Sequence, residues 1–131
     1  MPGEKDLDKL VKNMQPELRT GDYIFSSIDE EKVKSKRLNP VCTFIEREGL
    51  SVIFRREEAD KNAIPYNYVF RMITLNIHSS LDAVGFLAKI TNALAENNIS
   101  VNPVSAFYHD HLFVPAADAR KTMMLLEQLS K

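Results

Sequence analysis

At 131 residues the chain is long enough for one compact domain or for two small lobes sharing a core. Its 17 Lys and Arg nearly balance 18 Asp and Glu, and no like-charged block recurs beyond the mixed run 29–37. Neutralising a phosphate backbone needs a basic stripe, so nucleic acid is not expected as a partner. Cys42 is the only cysteine, which excludes a disulfide and a thiolate metal cluster. No apolar run reaches the length of a membrane span, so the expected setting is cytoplasmic, with no membrane partner.

Leu7, Leu10, Val11 and Met14 recur at helical spacing, predicting a short amphipathic helix over 6–14 that Pro16 limits. Tyr23-Ile24-Phe25 opens a strand that is expected to fade at Ser26-Ser27. The charged run 29–37 lacks a period and reads as a solvated loop with at most one helical turn. Residues 41–56 alternate as a β-hairpin about Gly49, with Leu50, Val52 and Phe54 on one face and Ile45 and Ile53 opposite the main apolar set. Glu46 and Glu48 stand two apart, which suits either paired acid–base carboxylates or an exposed edge beside the turn. A helical turn over 57–62 and a loop at Pro65 complete the first half.

The second half is organised around the run 77–85. Residues 68–77 are too apolar for a strand with one solvated face and predict a central strand. Ser79 followed by Asp82 has capping-box spacing, and Val84, Leu87, Ile90, Leu94 and Ala95 would form the buried stripe of the helix that follows. Gly85 in its first turns suggests close approach of a backbone or a ligand. Residues 99–107 form a strand, Tyr108-His109-Asp110-His111 a tight turn, and Leu112-Phe113-Val114 the return strand, before a last helix over 116–129 that buries Ala119, Met123, Leu126 and Leu129.

The order from Phe70 onward, β-α-β-β-α, is one strand short of the ferredoxin-like βαββαβ plan. Together with Ile73-Thr74-Leu75-Asn76-Ile77, the turn into Gly85, the helix pattern Leu87-Ala88-x-Ile90-x-x-Ala93-Leu94-Ala95 and the continuation Asn98 to Ala106, it resembles the ACT domain. Where that family usually has Asp and then Pro-Gly, this chain has His78 and Val84-Gly85. Over nearly its whole length it also resembles small, largely uncharacterised bacterial ACT-like proteins with two lobes, through Glu48-Gly49-Leu50-Ser51, His78 to Gly85 and Tyr108 to Pro115. The resemblance implies an α+β fold of two ACT-like lobes with antiparallel sheets, one over 1–67 and one over 68–131. The fourth strand of the second lobe would come from the N-terminal half, most simply from the hairpin 41–56. It also implies a regulatory module that binds an amino acid and pairs as a homodimer, since an unpaired edge strand invites association.

In the ferredoxin-like plan the end of the first strand, the first helix N-terminus and the second-to-third-strand turn share one edge. His78, Ser79, Ser80, Asp82, Val84 and Gly85 fall on the first two, and His109, Asp110 and His111 on the third. In one reading the helix N-terminus and serines bind a carboxylate while an acidic side chain meets an ammonium group. In another, His78, His109 and His111 bind a metal ion or support metal-assisted hydrolysis, because His109 and His111 can lie on one side of a strand. In a third, Ser79 only caps the helix and the histidines tie loops together. No nucleophile stands in a recognisable order with a base, so the expectation is a non-enzyme without a cofactor or bound metal.

Overall fold

The structure, a computed structural model, describes residues 3–81 and 83–131. In chain order its elements are α1 (Leu7–Lys12), β1 (Pro16–Leu18), β2 (Tyr23–Ile28), α2 (Glu30–Ser35), β3 (Cys42–Glu46), β4 (Gly49–Arg55), α3 (Arg56–Lys61), β5 (Phe70–Leu75), α4 (Phe86–Glu96), β6 (Asn102–Ser105), β7 (Asp110–Pro115) and α5 (Ala119–Leu129), the last entered through a 3-10 turn at Ala116–Asp118. They form two compact units. One is Gly21–Phe70; the other joins the segment up to Thr20 to Arg71–Lys131. The described residues up to Thr20 therefore group by contacts with the C-terminal half.

In the unit Gly21–Phe70, β4 lies between β3 and β2. Strand β2 does not fade at its serines: it pairs with β4 from Tyr23↔Arg55 to Ile28↔Leu50, with Ser27 opposite Ser51. A partner backbone along the whole strand outweighs the weak strand preference of two serines. The hairpin β3–β4 closes at Glu46↔Gly49, and the first residue of β5 adds the single pair Tyr23↔Phe70. Ile24, Ile28, Leu50, Val52 and Phe54 form a core with Leu38, Ala59 and Ile64. The register sets Ile45 opposite Leu50, hence on the core-side face and not opposite it as alternation alone had suggested. It is still 74% exposed, because β3 is an edge. The run 29–37 contains a helix, α2, whose first turn is capped by the Asp29 carboxylate accepting from the Glu31 N–H; none of its residues is buried.

In the other unit, β1 pairs antiparallel with β5 from Pro16↔Leu75 to Leu18↔Ile73. On the far side of β5 stands β7, and beyond it β6, which pairs antiparallel with β7 from Asn102↔Phe113 to Ser105↔Asp110. The fourth strand is thus Pro16–Leu18 and not a strand of the hairpin, which is committed to β2. A proline is tolerated there because an edge strand can leave its missing N–H on the unpaired side. Ile73 and Leu75 of β5 and Leu112 and Val114 of β7 face the helices, in a core with Leu10, Val11 and Met14 from the α1 region, Phe86, Ile90 and Leu94 from α4 and Leu126 from α5. Pleating puts Asp110 on this helix side and sends Thr74, His111 and Phe113 to the opposite face. Helix α4 ends through Asn98 at φ 60°, with the Ile99 N–H donating to the Leu94 carbonyl at 3.0 Å, a left-handed exit that satisfies a last-turn carbonyl. Helix α5 buries Ala119, Thr122 and Leu126; Thr122 enters the core because its hydroxyl donates to the Asp118 carbonyl at 2.7 Å. Met123 and Leu129 are only partly buried.

A small pocket at the N-terminus of α4

The loop between β5 and α4 does not use the capping-box spacing. Helix α4 begins at Phe86, its N-cap is Gly85 at φ 91° and ψ −9°, and no side chain caps it among the described residues. A left-handed backbone is what the position demands of its residue, and glycine meets that demand without steric cost. An added Cβ would meet only Leu7 Cδ2, at 3.7 Å, so the glycine is explained by conformation and not by a close approach. Val84 lies outside the helix and is 85% exposed, not part of the buried stripe. Asp82 falls outside the described residues.

Ser79 does not cap the helix. Its hydroxyl donates to Asp110 Oδ2 at 3.1 Å, and Asp110 is only 6% exposed. The Asp110 carboxylate forms no ion pair with a lysine or arginine among the described residues. Ser105 stands opposite Asp110 in the β6–β7 register. Ser79, Ser80, Ser105 and Asp110, with Leu81, Ala83 and the stretch Gly85 to Ala88, line a pocket of about 150 Å³. The first turn of α4 carries N–H groups with no intrahelical acceptor and the positive end of the helix dipole. A buried carboxylate and an anion-attracting helix end thus share one small enclosure.

The loop is held from its other side by residues ahead of α1. The Glu4 N–H donates to the His78 carbonyl and the Ser80 N–H to the Glu4 carbonyl, each at 2.9 Å, forming a parallel bridge between Glu4 and Ser79.

The histidines lie near one end of this unit without converging. His78 packs against Tyr108 and Phe107, at ring separations of 5.2 and 6.2 Å. His109 lies 6.4 Å from Tyr108 and 6.4 Å from His111. His111 Nδ1 is 3.0 Å from Thr74 Oγ1 on the opposite sheet face, and that oxygen accepts from the Arg19 guanidinium at 3.3 Å. Thr74 Oγ1 can donate its one proton to Nδ1 or accept a second hydrogen bond from it, according to the imidazole tautomer. Burial lowers the His111 pKa, aided by His109 and Arg19 and opposed by Asp110. Among the described residues no group of His, Cys, Asp and Glu is placed to hold a metal ion, so the geometry does not assemble the site imagined from His78, His109 and His111. Among the described residues no histidine is hydrogen-bonded to a serine or cysteine: Ser79 donates to Asp110, the His78 ring packs against Tyr108, and His111 Nδ1 meets Thr74.

Of the residues singled out in the sequence, Ser79, Ser80, Gly85 and Asp110 line the pocket, while His78, Val84, His109 and His111 do not. The helix N-terminus was expected at the site, but Ser105 and the lining by Phe86, Leu87 and Ala88 were not; the pairing of Ser105 with Asp110 could have been found by counting the hairpin back from its turn. Larger hollows elsewhere offer less chemistry. One of about 410 Å³ beside Asp22, Arg55, Arg56 and Asp60 is open, and its Arg56 is already bonded to Tyr66 and paired with Asp22 and Asp60. In the unit Gly21–Phe70 the topologically corresponding hollow is lined by Asp29, Glu30, Glu46 and Glu48. Asp29 already serves the helix end there, and Glu46 accepts from the Ser51 hydroxyl, so these carboxylates belong to a cap and an exposed edge.

The comparisons with known proteins agree with this architecture. ACT-domain profiles match residues 2–71 and, separately, residues 68–128. A crystal structure of a protein of unknown function from Vibrio cholerae is 38% identical, with 92% of each chain covered and a TM-score of 0.82. The regulatory subunit of aspartate kinase from Thermus flavus is 8% identical over 88% of this chain and 97% of its own, with a TM-score of 0.66. Its counterpart from Thermus thermophilus, in ligand-free form, is 8% identical over 92% of this chain and 99% of its own, with a TM-score of 0.65; at such identity these two show the fold alone. No curated protein sequence matches. With family profiles spanning both halves and a relative at 38% identity over nearly its full length, the chain belongs to the ACT-domain family of regulatory, small-molecule-binding modules.

Proposed function

We propose that the chain senses an amino acid, bound in the pocket at the N-terminus of α4, and has no catalytic activity of its own. The observation that carries this reading is the pairing of opposite electrostatic ends within one enclosure: the first-turn N–H groups of α4 suit a carboxylate, and the buried Asp110 suits an ammonium group. The Ser79 hydroxyl, whose proton goes to Asp110, can still accept, and Ser105 supplies a further hydroxyl at the pocket wall. A pocket of about 150 Å³ is small beside the roughly 300–1,000 Å³ of drug-sized sites, which restricts the ligand to a few heavy atoms.

Thermal-shift measurements across the proteinogenic amino acids test this, since a ligand at about one hundred times its dissociation constant should stabilise the fold by about 2.7 kcal/mol. Asp110→Asn should weaken binding by about 1.5–3 kcal/mol, the worth of a hydrogen bond to a charged group, while a carboxylate analogue lacking the amino group should bind parent and variant alike. An absence of any amino-acid response, or equal affinity in the folded variant, would refute the assignment.

The same reading includes a cytoplasmic homodimer. Strand β3 is an edge whose Phe44 and Ile45 are 71% and 74% exposed on opposite faces, the kind of edge that pairing with a second copy would cover.

A further inference from the structure

We propose that Gly3 and Glu4 are positioning residues for the pocket, forming a strap whose docking and whose ligand reinforce each other; this rests on the amino-acid reading above. Both backbone hydrogen bonds of Glu4, one to the His78 carbonyl and one from the Ser80 N–H, bracket Ser79. Ser79 and Ser80 line the pocket, and Ser79 is the residue that holds Asp110. The strap itself lies behind the loop: neither Gly3 nor Glu4 belongs to the pocket wall. Its influence on a ligand therefore passes through the loop backbone and not through contact.

Gly3 is the strictest point of this contact. A Cβ built there would stand 2.6 Å from the His78 carbonyl oxygen, 2.6 Å from the Ser79 carbonyl carbon and 2.6 Å from the Ser80 nitrogen. All three are backbone atoms, so no side-chain rotation relieves the collision. Beyond the strap the chain is anchored, because Leu7 packs on the core and Leu10 and Val11 enter it. A side chain at position 3 should thus lift the strap while leaving α1 seated.

Coupling between two sites is reciprocal: if the docked strap raises ligand affinity by some factor, the ligand favours docking by the same factor. The full chain and its Gly3→Val variant should be compared by titration with the panel of amino acids, with hydrogen exchange at the Ser80 amide followed in each. The expected result is affinity about tenfold weaker in the variant, with a cooperative ligand-free melt retained and its midpoint only slightly lowered by the lost docking. In the parent, saturating amino acid should slow exchange at Ser80 by about the same tenfold. Glu4→Pro, which removes the N–H donated to His78, should reproduce the loss by a different route and serves where the valine variant folds poorly. Equal affinity in parent and variant would overturn the strap and leave the pocket reading intact. A parent that responds to no amino acid would overturn both. Loss of the cooperative melt in both ligand-free variants would make the segment part of the core and overturn it as well.

Discussion

Replacing Gly85 by alanine separates two meanings a glycine can have beside a ligand pocket. At φ 91° an L-residue is strained, by about 1–2 kcal/mol relative to a right-handed conformation. Alanine also narrows the unfolded ensemble, which offsets about 0.4–1 kcal/mol of that strain. The added methyl adds no clash, since its nearest neighbour is Leu7 Cδ2 at an ordinary 3.7 Å. The net expectation is a loss of about 1 kcal/mol, which for a chain of 131 residues lowers the melting point by about 3–5 °C. Urea denaturation would report the same loss as a lower midpoint at unchanged slope. Because the Cβ meets Leu7 and nothing else within reach, amino-acid affinity should stay within about threefold, well under the tenfold that 1.4 kcal/mol represents. Full stability in Gly85→Ala would show that the left-handed backbone is not the reason for the glycine. Abolished binding in a folded variant would show that the glycine makes room for the ligand after all.

The lowered pKa of His111 predicts an acid-sensitive increment of stability. Unfolded His111 binds its proton more readily than folded His111, so the contribution is intact above the ordinary value of 6.5 and is lost as pH falls from there through the lower folded value. Denaturation midpoints should fall more steeply over that window in the parent than in His111→Gln, and parallel curves would contradict the assignment. For the edge strand, light scattering should give the mass of two 14.9 kDa chains for the parent and of one for Phe44→Lys/Ile45→Lys; a parent that stays monomeric at every concentration would remove the dimer.

What the sequence disclosed depended on whether side chains or backbone decided the outcome. The hairpin about Gly49 was legible because alternation of Leu50, Val52 and Phe54 is a side-chain signal, and β4 follows it. Placing Asp110 near Ser79 was legible from topology, since strand order alone brings those turns together. The start of α4 was not legible: Ser79 and Asp82 have the spacing of a cap, but the left-handed Gly85 interrupts the chain before the helix begins. Strand β1 offered only Pro16-Glu17-Leu18, too short and too proline-marked to show a period, yet backbone pairing with Ile73 to Leu75 makes it a strand. The contact of Gly3 and Glu4 with the loop at Ser79 consists of main-chain hydrogen bonds, which leave no pattern in residue type.

The pairing of Pro16–Leu18 with β5 has a consequence for the order in which the molecule is made. On a ribosome the N-terminal segment emerges first, and its partner strand appears only after all of Gly21–Phe70 has been synthesised. The intervening unit owns its core and can close on itself while translation continues. Through that interval Leu10, Val11 and Met14 have no α4 or α5 to bury against, and the edge of β1 stands open. Completion of the pocket-bearing unit is therefore a late, long-range closure, slower than the local pairing of a hairpin. A nascent chain passes through a stage with one folded unit and an apolar arm waiting for the last helix to arrive.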